Sequence, residues 1–188
     1  HKVSGGFVPL WNEYFPKGAS KIRPAMSDYP KSEKRVVYFP SCITRSMGLS
    51  RDYSDAKELT QITEILIKRA GFEIVYPEGL DSLCCGMAFS SKGFIEAGKL
   101  ASDKLEKALS LASENGKYPI LCDMSPCLYT MKTNFGERLK LYEPAEFASE
   151  FLIDRLKINK LDKSISLFAV CSAKKMEVDE HLKRIAEL

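Results

Sequence analysis

The chain has 188 residues, with 28 Lys and Arg against 25 Asp and Glu, a net charge of +3. This length supports one sizeable α/β domain with a buried core. The basic residues fall only in short scattered runs such as Lys174-Lys175, which excludes a nucleic-acid footprint. No apolar run approaches the roughly 20 residues of a membrane span, and no signal-like apolar core opens the sequence. The expectation is a cytoplasmic protein, or one peripheral at the inner face of the membrane.

Residues 1–34 hold four of the nine prolines and the glycines Gly5, Gly6 and Gly18. Their apolar residues (Phe7, Val8, Leu10, Trp11) follow neither helical nor strand period, so an extended arm or linker is expected. From Arg35 the pattern alternates. Val36-Val37-Tyr38-Phe39 reads as a first strand stopped by Pro40. A helix follows from about Asp55, with Asp55 and Glu58 at capping-box spacing. Its apolar stripe is Leu59, Ile62, Leu66 and Ala70, and Gly71 stands at its C-terminal cap. Residues 72–76 form a second strand. After a loop carrying Cys84 and Cys85, a long helix is expected from about Gly93 to Asn115, with Phe94, Ala97, Ala101, Leu105, Ala108 and Ala112 on one face. Residues 118–122 read as a third strand, and Ser125-Pro126-Cys127 as the N-cap and first two positions of a helix. A fourth strand at 139–142, a helix at 144–156, a fifth strand at 165–170 and a charged helical end complete the chain. This rhythm specifies an α/β fold, Rossmann-like, with a mostly parallel sheet and helices on both faces.

Six cysteines without an export signal point to metal or redox chemistry rather than a disulfide frame. Each lies at or just beyond the carboxyl end of an expected strand. Cys42 follows the first, Cys84 and Cys85 the second, Cys122 ends the third, Cys127 opens the next helix and Cys171 follows the fifth. Strand ends of an open parallel sheet share one edge, where ligands bind, so cysteines far apart in sequence should be brought together at one site there. Helix N-termini favour thiolate, and Gly86 would let the backbone approach bulky sulfur. Cys122, ending an apolar strand, fits a small buried hydrophobe as well as a ligand. The Cys-x2-4-Cys hairpins of zinc sites are absent. His1 and His181, near the two ends, are poor ligand candidates, His181 being expected on a surface helix.

Pro40-Ser41-Cys42, Leu83-Cys84-Cys85-Gly86-Met87 and Asp123-Met124-Ser125-Pro126-Cys127 together resemble the cysteine-rich CCG module. That module occurs in heterodisulfide reductase, in the iron–sulfur component of glycolate oxidase and in the C-terminal part of FAD-linked D-lactate dehydrogenases. The runs 89–94 and 171–176, and the arm segment Val8-Pro9-Leu10-Trp11-Asn12, resemble the D-lactate dehydrogenase group in particular. The spacing leaves 41 residues between Cys42 and Cys84 and 35 between Gly86 and Cys122. The closing Cys-x-x-Cys pair departs from the family pattern, because Met124 takes the place of its first member.

The resemblance implies an iron–sulfur cluster, of 4Fe-4S type if Cys42, Cys84, Cys85 and Cys127 are its four thiolates; a five-thiolate cluster would need Cys122 or another residue. It implies an electron-transfer domain of a FAD-linked 2-hydroxy-acid dehydrogenase, with the flavin on another domain or subunit and a quinone or cytochrome as acceptor. Neither a Gly-x-Gly-x-x-Gly nor a Walker loop is present. The competing reading is a thiol–disulfide redox or sensing module. A third is a docking domain with vestigial cysteines. The expected organisation is an arm at 1–34, a first module at 35–160 and the start of a second module at 161–188, opened by Cys171. An apolar face on the last helix (Leu182, Ile185) would favour self-association into a homo-oligomer.

Overall fold

In a computed structural model, which describes residues 15–22, 34–53 and 55–188, four parallel strands form one sheet. They are β1 (Arg35–Phe39), β2 (Glu73–Val75), β3 (Ile120–Cys122) and β4 (Leu141–Tyr142), in the order β2-β1-β3-β4. β1 is the hub, pairing Val36 with Ile74 on one side and Tyr38 with Leu121 on the other. Val36 to Phe39 are all buried, as expected for a strand covered on both faces. Their alternation divides the core. Val37, Phe39, Ile120 and Cys122 face one cluster, while Val36, Tyr38 and Leu121 face the other.

The first cluster is covered by α4 (Ile95–Ala112) and α5 (Ser125–Phe135), which supply Leu105, Leu109, Leu128, Met131 and Phe135. Each such side chain contributes about 1.5–3 kcal/mol when fully buried. The second cluster is closed by α2 (Leu59–Arg69) and by α6 (Pro144–Phe147), which runs on through a π turn (Ala148–Leu152) and a 3-10 turn (Ile153–Arg155). Phe72, Tyr142, Phe147 and Phe151 stack edge-to-face and offset there. The short helices α1 (Cys42–Ser46) and α3 (Met87–Ser90) occupy the loops after β1 and β2. At the end of the chain lie α7 (Cys171–Lys175) and α8 (Asp179–Ala186).

Several expectations shift. Among the described residues no fifth strand exists; residues 165–170 are irregular, and Phe168 is 84% exposed. The run has strand composition but no neighbouring strand with which to pair. Helix α2 starts at Leu59, not near Asp55, because Gln61 accepts the Glu58 N–H (3.0 Å) and closes the capping box three residues later. Its expected stripe is also out of phase apart from Ala70, which is buried. Leu59, Ile62 and Leu66 are exposed, while Thr60 and Ile67 are buried. The sheet beneath presents the Tyr38 and Tyr76 hydroxyls, which draw Thr63 and Glu64 inward; Tyr76 donates to Glu64 at 2.7 Å.

On α4 the buried line is Gly98, Ser102, Leu105 and Leu109, and Phe94 is exposed. The helix expected at 144–156 is the composite of α6, π turn and 3-10 turn. Met124, not Ser125, caps α5, since the Ser125 hydroxyl donates instead to Glu143 (3.0 Å).

Of the arm, residues 1–14 and 23–33 lie outside the described residues, as do His1 and the Val8–Asn12 segment. Residues 15–22 run antiparallel to the end of α1, bridging Gly18 with Met47. The Lys17 N–H donates to the Leu49 carbonyl (3.1 Å), and the Ser20 N–H and hydroxyl both donate to the Glu58 carboxylate.

Candidate functional site

The strand order places a topological switch between β1 and β3, because the chain leaves β1 first toward β2 and then crosses to β3. Ligands bind outside the carboxyl ends of strands at such a point. Here β1 delivers Ser41 and Cys42, and β3 delivers Asp123, Met124 and then α5 with Cys127 in its first turn. Beside them, the loop after β2 carries Cys84, Cys85 and Gly86 into α3.

Four of the six cysteines meet here. Cys84 and Cys42 lie within side-chain hydrogen-bonding reach, as do Cys85 and Cys127, and Cys85 also contacts Cys84. Cys42 is exposed, Cys84 half-buried, and Cys85 and Cys127 are buried, so the group runs from solvent into the core. The Gly86 N–H donates to Cys84 Sγ at 3.4 Å, and the Met87 N–H donates to Cys85. Cys85 is held down to about 6, chiefly by the Cys127 thiol donating to it, with the Met87 N–H assisting against burial. Cys127 is pushed far up by that same hydrogen bond and by burial. Burial raises Cys84 as well, its neighbouring thiols adding to the effect.

Cys122 lies beneath this group. It is fully buried, its thiol donates to the Met124 carbonyl (3.8 Å), and burial pushes its pKa well above the ordinary range. It neighbours Cys85 and Cys127 electrostatically without entering their hydrogen bonds. Cys171 heads α7 and is exposed, outside the pairs formed by Cys42 with Cys84 and by Cys85 with Cys127.

Gly86 does more than admit sulfur. Its φ is +87°, and a Cβ there would lie 2.1 Å from the Gly98 carbonyl oxygen. The turn of the paired cysteines thus rests backbone-to-backbone on the start of α4, a contact open only to glycine.

Two residues absent from the sequence-based candidates hold the loops in place. Arg45 sends Nε to the Pro40 carbonyl (3.1 Å), one terminal nitrogen to the Leu80 carbonyl and the other to the Leu83 carbonyl (2.5 Å). One guanidinium thus fastens the β1 loop to the loop preceding Cys84. Asp123 accepts the Ser41 N–H (2.8 Å) and the Tyr38 hydroxyl (3.0 Å), joining β3 to β1 across the switch. Burial raises the Asp123 pKa against those hydrogen bonds. Both lie within or beside the cysteine motifs, and a charged residue next to an apolar strand end is the signal that marks them.

A sequence profile of the CCG family, described as a cysteine-rich domain, matches residues 36–132, just over half of the chain. The chain belongs to the CCG cysteine-rich domain family. The matched span contains β1 to β3 and every thiol of the convergent group, leaving Cys171 outside. Neither the curated proteins nor the solved structures gave a match. Membership of the CCG family indicates a redox or iron–sulfur type of module. No helix among the described residues is long and apolar enough to cross a membrane.

Proposed function

We propose that this CCG domain holds an iron–sulfur cluster on Cys42, Cys84, Cys85 and Cys127. In this reading it relays electrons from the flavin of a 2-hydroxy-acid dehydrogenase, of D-lactate or glycolate type, to a quinone or cytochrome. The observation that carries it is the convergence of four thiols from three separate loops at one strand-end crevice, with backbone amides aimed at two of them. The donor set fits the group, since clusters need thiolates, N–H donors to sulfur and a partly dry pocket. A bound cluster would supply a one-electron carrier. The chain's own residues set its surroundings: Gly86 turns its amide onto Cys84, Arg45 fixes the loop height, and Phe39, Leu83 and Met131 keep the inner side apolar. Exposed Cys42 leaves the outer side open to an electron partner.

The test is anaerobic purification or reconstitution followed by iron, sulfide and visible absorption measurements. The expected sample is brown, Cys85→Ser loses most of its iron, and Lys175→Ala keeps it. The isolated chain should oxidise neither lactate nor glycolate with artificial dyes. A specific observation also favours the competing reading. Cys42 with Cys84, and Cys85 with Cys127, stand as cross-loop pairs that could close two disulfides. A colourless protein whose thiols pair under mild oxidation would support that thiol–disulfide reading and overturn the cluster.

A further inference from the structure

Away from the cysteines, the fold gathers a second set of ligand-type side chains. Glu146 on α6, Glu150 in the π turn and His181 on α8 bring one ligand atom each to within 4.8 Å of one another. The set is chemically mixed and drawn from two separate segments. We infer that these three side chains form a binding site for a divalent cation of the zinc type, which would clasp α8 onto the α6–π segment.

Two features support the inference. Two carboxylates spaced i,i+4 on one helical ridge repel each other, yet here they converge instead of splaying apart. Glu146 offers Oε2 to Lys132 (3.3 Å) and to the Glu143 N–H (3.1 Å), while no Lys or Arg pairs with Glu150 among the described residues. A single +2 ion would offset that concentration of charge. Second, one imidazole with two carboxylates is a donor set suited to zinc and its neighbours, with positions left for water.

The site would do mechanical work. No residue of α8 is fully buried. The helix is held by half-buried Leu182 and Ile185 packing beside Ala145, and by Arg184 reaching Ser149 (3.4 Å) and Asp154 (4.0 Å). A metal crosslink would turn this light contact into a fixed one.

The test uses the full chain and Zn²⁺ as the probe, read by proton NMR of the imidazole signals. The chain has two histidines, His1 and His181, so H181A identifies the signal of interest. Once Zn²⁺ exceeds what the thiols take up, that signal should shift and saturate at one further equivalent. Glu150→Gln should weaken the response at least tenfold, since even losing an outer-shell partner costs about 10–100-fold in affinity. Cys85→Ser should lower the uptake that precedes this shift and leave the shift itself in place, which separates this site from the thiols. An unmoved His181 signal overturns the inference. So does an undiminished response in Glu150→Gln, or a response that disappears with Cys85→Ser.

Discussion

The contact between Gly86 and Gly98 gives a sharp quantitative prediction, because the chain contains its own control. Gly86 and Gly93 have nearly the same backbone angle, φ +87° and +86°, but a Cβ on Gly93 would meet nothing within 4 Å. Gly93→Ala therefore reports conformational cost alone. A left-handed residue costs about 1–2 kcal/mol, less the roughly 0.4–1 kcal/mol gained by stiffening the unfolded chain. The net loss should be about 0.5–1 kcal/mol. Gly86→Ala carries the same cost and adds a methyl 2.1 Å from a backbone oxygen and 2.9 Å from its carbon. Neither atom can rotate away, so α3 and α4 must part, at about 1–3 kcal/mol more by analogy with overpacked cores. The expected total is about 1.5–4 kcal/mol. Gly98→Ala should fall between, because its closest neighbour is the rotatable Ser90 hydroxyl and the Gly86 oxygen lies at 3.1 Å. Urea denaturation of the three variants, with m-values compared, measures the order. Iron content after reconstitution should follow the same ranking. Equal losses for Gly86→Ala and Gly93→Ala would refute the backbone contact as the reason for this glycine.

Arg45→Met should lower stability by about 2–4 kcal/mol in urea, since three carbonyls lose a charged donor; Arg45→Lys should recover little, as one ammonium cannot span all three. Asp123→Ala should cost about 1–3 kcal/mol by leaving the Ser41 N–H and Tyr38 hydroxyl unpaired, and Asp123→Asn, which keeps an acceptor oxygen, should cost less in the same denaturation series. The phase of α2 is checked by a pair of truncations: Ile67→Ala should lose about 2–5 kcal/mol, whereas Leu66→Ala should stay within about 0.5 kcal/mol.

The layered fold could be read from the sequence because the strongest local signals agree with the tertiary arrangement. Val36 to Phe39, the cap at Gly71, and Pro126 in the first turn of α5 all mark boundaries that the sheet and helices respect. The convergence of the thiols was legible for the same reason, since strand ends in a parallel sheet share an edge. What the sequence hid were effects decided by partners distant along the chain. The helical period in α2 is satisfied by two phases, and only the Tyr38 and Tyr76 hydroxyls beneath it select the one bearing Thr60, Thr63 and Glu64. Residues 165–170 have strand chemistry, but a strand needs a neighbour. His181 carried no local pattern; its neighbours Glu146 and Glu150 lie on another segment.

The intervals between the cysteines follow from how they are mounted. Cys42 and Cys127 sit in the first turn of helices that leave β1 and β3 directly, and Cys85 is seated in the core beside Leu83. The 41 and 35 intervening residues include the crossovers, α2 with β2 in one case and α4 in the other. Interval length thus records how much helix returns the chain to the next strand, and has little bearing on where sulfur ends up. A turn added to the solvent end of α4, near Asn115, would lengthen the motif while leaving the crevice untouched. A single residue inserted between Phe39 and Cys42 would displace it. Search patterns for such sites should therefore hold the few residues around each thiol rigid and leave the spans between them elastic.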